Sequence, residues 1–302
     1  MTARRDDAAQ REYDRFGPWL LEVSADDPVP PLFEPHCGLA GKPILQVKVP
    51  RQITRREAHP GMDLYDYLVI LYGDDMVVLE RDGKQVRKRT IAYTDIKQLA
   101  VQEDLLRGRL HLGLPEAPLT LPFNTVSNEV IARVAGIIRE RYRPRAERLD
   151  APPSTGAGEP LSFAFEHLLK EQRSADPQVV ATLTQPQRSL RDTERNAWRR
   201  IIFGIIDRRL LESMHLTDGL ELHVYDRGRS YAHRWESVYG RRETFMPLAN
   251  LTSVEWRAGG GGPSSLTIST AGGTNTWALL GRDEEAADYV AWLRQVTATR
   301  RG

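Results

Sequence analysis

The chain has 302 residues, 40% hydrophobic, 8% aromatic and 27% charged, a balance that buries enough apolar surface to fold and lies outside the disordered range. Lys+Arg 42 against Asp+Glu 41 leaves a formal charge of +1, so no global field draws nucleic acid, and a nucleic-acid partner is not expected. The length predicts about two domains of roughly 100–150 residues each, with a remainder for arms and linkers.

Residues 1–43 are expected to form an extended N-terminal arm. Met1 to Arg15 is charged throughout and lacks the apolar core of a secretory signal. The prolines that follow argue against a long helix. Phe16, Trp19, Leu32 and Phe33 are too apolar for a free tail, so they are expected to anchor on this chain or on a partner. Cys37 is the single cysteine, which excludes an intrachain disulfide and every multi-cysteine zinc pattern and suits a reducing cytoplasm.

Residues 44–142 are expected to form a first domain. Runs at 64–72 and 76–80, split by Gly73-Asp74-Asp75, give a hairpin signal, and Asp82-Gly83 marks the next turn. Short strands follow at 86–93, 96–101, 109–114 and 119–123. The period then changes: Val130, Ile131, Val134, Ile137 and Ile138 recur at helical spacing and predict an amphipathic helix over 128–142.

Residues 143–174 are expected to be a linker with a short helix, broken by Pro144, Pro152, Pro153, Gly156 and Gly158. Residues 175–302 then repeat the order. The hairpin around Thr217-Asp218-Gly219 matches the first one, and a constant shift places Ile96 on Leu251, Leu99 on Val254, Val134 on Tyr289 and Ile138 on Leu293. Two copies of so long a period indicate a domain duplication and not a solenoid. The expected fold class is α+β, mainly β: two antiparallel half-barrel or sandwich domains, each closed by a C-terminal amphipathic helix.

A strand-rich half-barrel sealed by one helix, with Trp292 in the run Tyr289-Val290-Ala291-Trp292-Leu293, resembles the pleckstrin-homology-like superfold, including its bacterial and GRAM-like versions. The resemblance covers roughly residues 44–142 and 175–297 and implies a binding or scaffolding module. Members that bind inositol phosphates keep a Lys followed by a basic-x-Arg pair on the first hairpin. Lys48 with Arg51, Arg55 and Arg56 is the nearest match here, at a poorly fitting spacing, and the second copy offers only Arg188 and Arg191.

Two basic hairpins are the candidate binding sites. Lys84, Arg87, Lys88 and Arg89 follow the Asp82-Gly83 turn, where a strand places Arg87 and Arg89 on one face and Lys88 on the other. Arg227, Arg229, Arg234, Arg241 and Arg242 surround the corresponding hairpin of the second copy. A charge run also serves as a solvated face or a protected edge strand. Residues 194–209 carry Trp198, Ile201, Ile202, Ile205 and Ile206 at helical spacing, which suits packing between domains or a membrane surface.

No catalytic residue is assigned. The seven histidines form no metal-ligand pair, although His215 and His223 are placed to meet across a hairpin. Gly259-Gly260-Gly261-Gly262-Pro263 lacks the lysine of a phosphate-binding loop. No metal and no cofactor is expected. The reading is a non-enzymatic cytoplasmic adaptor for a protein or peptide partner. The alternative is a module peripheral to the inner face of a membrane, binding anionic lipid through the basic hairpins. A third class is an enzyme whose site is dispersed along the chain.

Overall fold

The computed structural model describes residues 2–37, 41–143, 148–149, 161–190, 208–233, 235–259, 262–280 and 283–299. The chain divides into two units that interleave along the sequence. One comprises Met1–Ile96, Leu106–Leu110 and Thr120–Tyr142; the other comprises Lys97–Leu105, His111–Leu119 and Arg143–Gly302.

The first unit opens with a helix, α1 (Thr2–Arg15), so the arm expected over 1–43 is not extended throughout. The prolines behind that expectation begin only at Pro18. Residues 2–15 hold neither proline nor glycine, and Gln10 donates to Asp14 one turn on at 2.9 Å. The strands β1 (Leu21–Glu22), β2 (Leu45–Pro50), β3 (Tyr65–Leu71), β4 (Asp75–Asp82) and β5 (Gln85–Ala92) follow and pair antiparallel in that spatial order.

Both faces of this sheet are covered, which explains why Tyr67–Leu71 of β3 read as a continuous apolar run and not as an alternation. On one face Val47 and Val69 join Leu110, Leu121, Ile131 and Val134 around a gap of only about 10 Å³. On the other, Leu68, Ile70 and Leu79 share a core with Phe16 and Phe33 of the arm. Helix α2 (Asn128–Tyr142) occupies the residues that the period predicts, burying Ile131, Val134, Ala135, Ile138 and Tyr142. Asn124 accepts the Val126 amide at 3.1 Å just before it.

Between β5 and α2 lie β6 (Gln98–Asp104), β7 (Arg107–Gly113) and β8 (Leu119–Asn124). Strand β6 belongs to the second unit, as does its antiparallel partner β15 (Arg241–Pro247), in a register that sets Leu99 opposite Phe245 and Glu103 opposite Arg241. The hairpin β7–β8 is divided between the units, residues 107–110 and 120–124 falling in the first and 111–119 in the second.

The second unit continues with helix α3 (Phe163–Ala175) and the strands β9 (Val180–Gln185), β10 (Arg188–Ser189), β11 (Arg208–Leu210), β12 (Ser213–Thr217), β13 (Glu221–Asp226) and β14 (Tyr231–His233). After β15 come β16 (Leu251–Arg257), β17 (Ser264–Thr270), β18 (Gly273–Leu279) and helix α4 (Asp283–Thr299). Within this unit one sheet runs β6-β15-β13-β12-β9, a second β10-β11-β14 and a third β16-β17-β18, all antiparallel where registers are defined, and among the described residues none closes on itself. Phe165 of α3 packs with Met214, Leu216 and Tyr225 on one side of the large sheet. Leu222, Val224 and Met246 share a core with Leu266, Ile268, Trp277, Tyr289 and Leu293 on the other.

The protein is therefore α+β and mainly β, built of antiparallel sheets. A 3-10 turn, three strands and a long helix occur twice in the same order: the turns Tyr93–Asp95 and Leu248–Asn250 differ by 155 residues, as do the first residues of α2 and α4. Among the described residues, no helix is long and apolar enough to cross a membrane.

Candidate functional site

Strand β5 stands at the end of its sheet's order, reached through a turn in which Gly83 takes φ 65°, a conformation that side-chain-bearing residues avoid. Its register sets Arg87 opposite Glu80, Lys88 opposite Leu79 and Arg89 opposite Val78. Arg87 is bound within its own hairpin, to Asp82 at 2.9 Å and Glu80 at 3.4 Å. Arg89 is half-buried. Lys84 and Lys88 are exposed and make no ion pair among the described residues.

The Arg-rich hairpin of the second unit is arranged differently. Arg227 pairs with the buried Glu212 and stacks on the Phe165 ring at 5.0 Å. Arg242 binds Asp226 through two nitrogens at 2.8–3.2 Å, Arg241 pairs with Glu243, and Arg229 meets Glu236 at 2.6 Å. Each of these four arginines thus sits against a carboxylate of its own unit, which lowers its availability to an external anion. Arg234 lies outside the described residues, as does most of the 194–209 segment; Arg208 and Arg209 open β11.

In the first unit the structure places Phe16 and Phe33 in the core, with the Phe16 and Tyr65 rings edge to face at 6.3 Å. Leu32 is half-buried beside them. Trp19 keeps 42% of its surface exposed. Lys48, between Val47 and Val49 on β2, is only 2% exposed because the arm lies over it. Its Nζ donates to Asp27 at 3.3 Å and to the Pro28 carbonyl at 3.4 Å and stands 5.0 Å from the Tyr65 ring centroid. Arg55 donates to the Phe16 carbonyl at 2.7 Å and lies over the Tyr13 ring, and Arg51 reaches the Asp63 carbonyl at 3.2 Å. Of the four basic residues nearest to an inositol-phosphate motif, Lys48, Arg51 and Arg55 are engaged by the chain itself, and Arg56 is exposed.

Beside Lys48 is a cavity of about 260 Å³ lined by Arg11, Glu12, Arg15, Asp27 and Glu34 among others. Burial pushes the Glu12 carboxyl up to about 7; Lys48 pulls the other way, while Asp63, Asp27 and Glu34 add to the rise. Sequence reasoning passed over Glu12 and Asp27 because nothing local in a charged segment signals that it will fold back on a lysine.

The histidine pair does not form. The register sets His215 opposite Val224 and His223 opposite Leu216, so an odd offset puts the two rings on opposite faces of the sheet. His215 meets the Tyr289 hydroxyl through Nδ1 at 3.0 Å, and burial holds its pKa down at about 3. His223 lies between Tyr225 and Phe245, with ring centroids 4.1 and 4.0 Å away. Among the described residues, no group of three or more His, Cys, Asp or Glu is arranged to hold a metal ion.

Of the candidate cations, Lys84 in the turn before β5 and Lys88 on β5 are thus exposed without an ion pair among the described residues. Neither a protein-family model nor a curated protein matches the chain.

Proposed function

We propose that the protein is a non-enzymatic scaffold of two duplicated pleckstrin-homology-like domains that recognises a protein or peptide partner in the cytoplasm. In each copy a four-stranded antiparallel meander, β2 to β5 or β9, β12, β13 and β15, precedes a three-stranded one and a C-terminal helix. That order supports the half-barrel reading, with α2 and α4 as the closing helices.

The observation that carries the function is β5. An end strand offers backbone donors and acceptors to an added strand, and Lys84 and Lys88 favour a segment rich in Asp and Glu. The partner in this reading is an acidic, extended segment. Fluorescence anisotropy with an acidic peptide library tests it. Binding that weakens with salt and is lost in Lys84→Glu/Lys88→Glu supports the reading. Failure of the whole library, or equal binding by the variant, sinks it.

A further inference from the structure

The turn between β6 and β7 is built from two leucines, and at the first of them chain geometry asks for glycine. Leu105 adopts φ 52°, the one positive value at a non-glycine residue among the described residues. A leucine is strained there, because its Cβ crowds the backbone. Both side chains nevertheless face solvent, Leu105 with 66% and Leu106 with 63% of its surface exposed. Neither strain nor exposure helps the fold.

The second copy supplies an internal comparison. Its corresponding connection, between β16 and β17, carries glycine at residues 259–262. A hairpin in this position thus needs no apolar side chain. The same contrast appears at Val126, which lies between β8 and α2 and is 72% exposed. The 155-residue offset sets Gly281 against it.

Three residues of this apolar surface belong to the first unit, and hydrogen bonds bring them together. The Thr125 amide donates to the Leu106 carbonyl at 3.2 Å, placing Val126 next to the turn. The Leu20 amide donates to Ser127 Oγ at 2.8 Å, bringing the half-exposed Trp19 to the same end. Arg107 and Arg109 follow Leu106 along β7, both exposed.

The geometry points to a membrane-attachment tip in which Leu106, Val126 and Trp19 enter the headgroup region of an anionic lipid bilayer. A hairpin turn projects and has no walls of its own, so its occupant must close around it, which a fluid bilayer does. The composition agrees. Aliphatic side chains suit the acyl boundary, an indole suits the interface, and arginines just behind the turn meet anionic headgroups. This attachment is separate from partner binding at β5 and stands or falls independently of it.

Flotation of the full chain with vesicles tests the inference, comparing phosphatidylcholine alone with phosphatidylcholine plus phosphatidylserine. The decisive variant is Leu105→Gly/Leu106→Gly, which installs the second copy's residue type and relieves the positive φ, so its thermal midpoint should not fall. The wild type is expected to float with the anionic vesicles and to be released by salt. The double variant is expected to lose about tenfold in partitioning. Arg107→Glu should lose binding to anionic vesicles only. Equal flotation of wild type and double variant, or no flotation of the wild type, overturns the inference. So does a double variant that floats normally but loses cross-links to a protein, which would assign the tip to a protein pocket.

Discussion

The carboxylate of Asp226 accepts the indole N–H of Trp277 at 2.8 Å. It also holds Arg242 and caps the Gly228 amide, so one nearly buried acid ties together β13, β15, β18 and the turn that follows β13. Removing it strands a largely buried guanidinium and an indole donor. Asp226→Ala is therefore expected to lose about 3–5 kcal/mol, and Asp226→Asn less, because the amide still accepts from Trp277. Urea unfolding followed by tryptophan fluorescence measures both. A loss below about 1 kcal/mol for Asp226→Ala would mean that the network contributes little.

His215 is buried, with the Trp277 ring 5.0 Å and the Tyr289 ring 5.7 Å away, both edge-on. Its pKa in the folded chain, about 3, lies below the ordinary 6.5 because burial penalises the charged ring. Folding thus favours the neutral form. The stability this confers is present above 6.5 and is lost as pH falls from 6.5 through about 3. His215→Phe should flatten the acid limb of the stability curve. At neutral pH it should cost about 1–2 kcal/mol, for the lost bond to Tyr289. Unfolding midpoints at a series of pH values between those limits check it; an unchanged acid limb would contradict it.

Glu12 shows the opposite sign. Its folded pKa of about 7 is raised above 4.5, so docking of α1 is linked to proton uptake: the stabilisation is full below 4.5 and is lost as pH rises from there through about 7. Asp27, Asp63, Glu34 and Lys48 are the charged groups acting on it. Glu12→Gln should unfold at higher denaturant than the wild type at pH 8 and no differently at pH 4. Arm protection read by hydrogen exchange should rise in parallel. If the wild type and Glu12→Gln respond identically to pH, Glu12 is not the titrating group.

Much of the fold is legible because it rests on local periodicity. The three- and four-residue spacing that placed Val134 and Ile138 on one helix face is repeated by Tyr289 and Leu293, and all four are buried. What stays hidden is pairing between distant segments. Nothing in β6 says that its partner is β15, because the strand pattern of Leu99 and Val101 fits any apolar neighbour. For the same reason the fate of the candidate charges was unreadable. Arg227 and Arg242 look like a ligand site until Glu212 and Asp226 are found beside them. Lys48 looks like part of an anion site until Asp27 and the Pro28 carbonyl of the arm are found on it.

The arm offers the clearest division between a residue that holds the fold and one left for contact. Phe33 is wholly buried against the β3–β4 face, and truncating it leaves a void that neighbouring side chains fill only in part. Phe33→Ala is expected to lose about 3–5 kcal/mol. Trp19, nearly half exposed, gives up much less packing, and Trp19→Ala is expected to lose no more than about 1 kcal/mol while weakening vesicle binding. Denaturation and flotation on the same two proteins separate the roles. If Trp19→Ala destabilised as much as Phe33→Ala, the indole would belong to the core, and its place at the attachment tip would be lost.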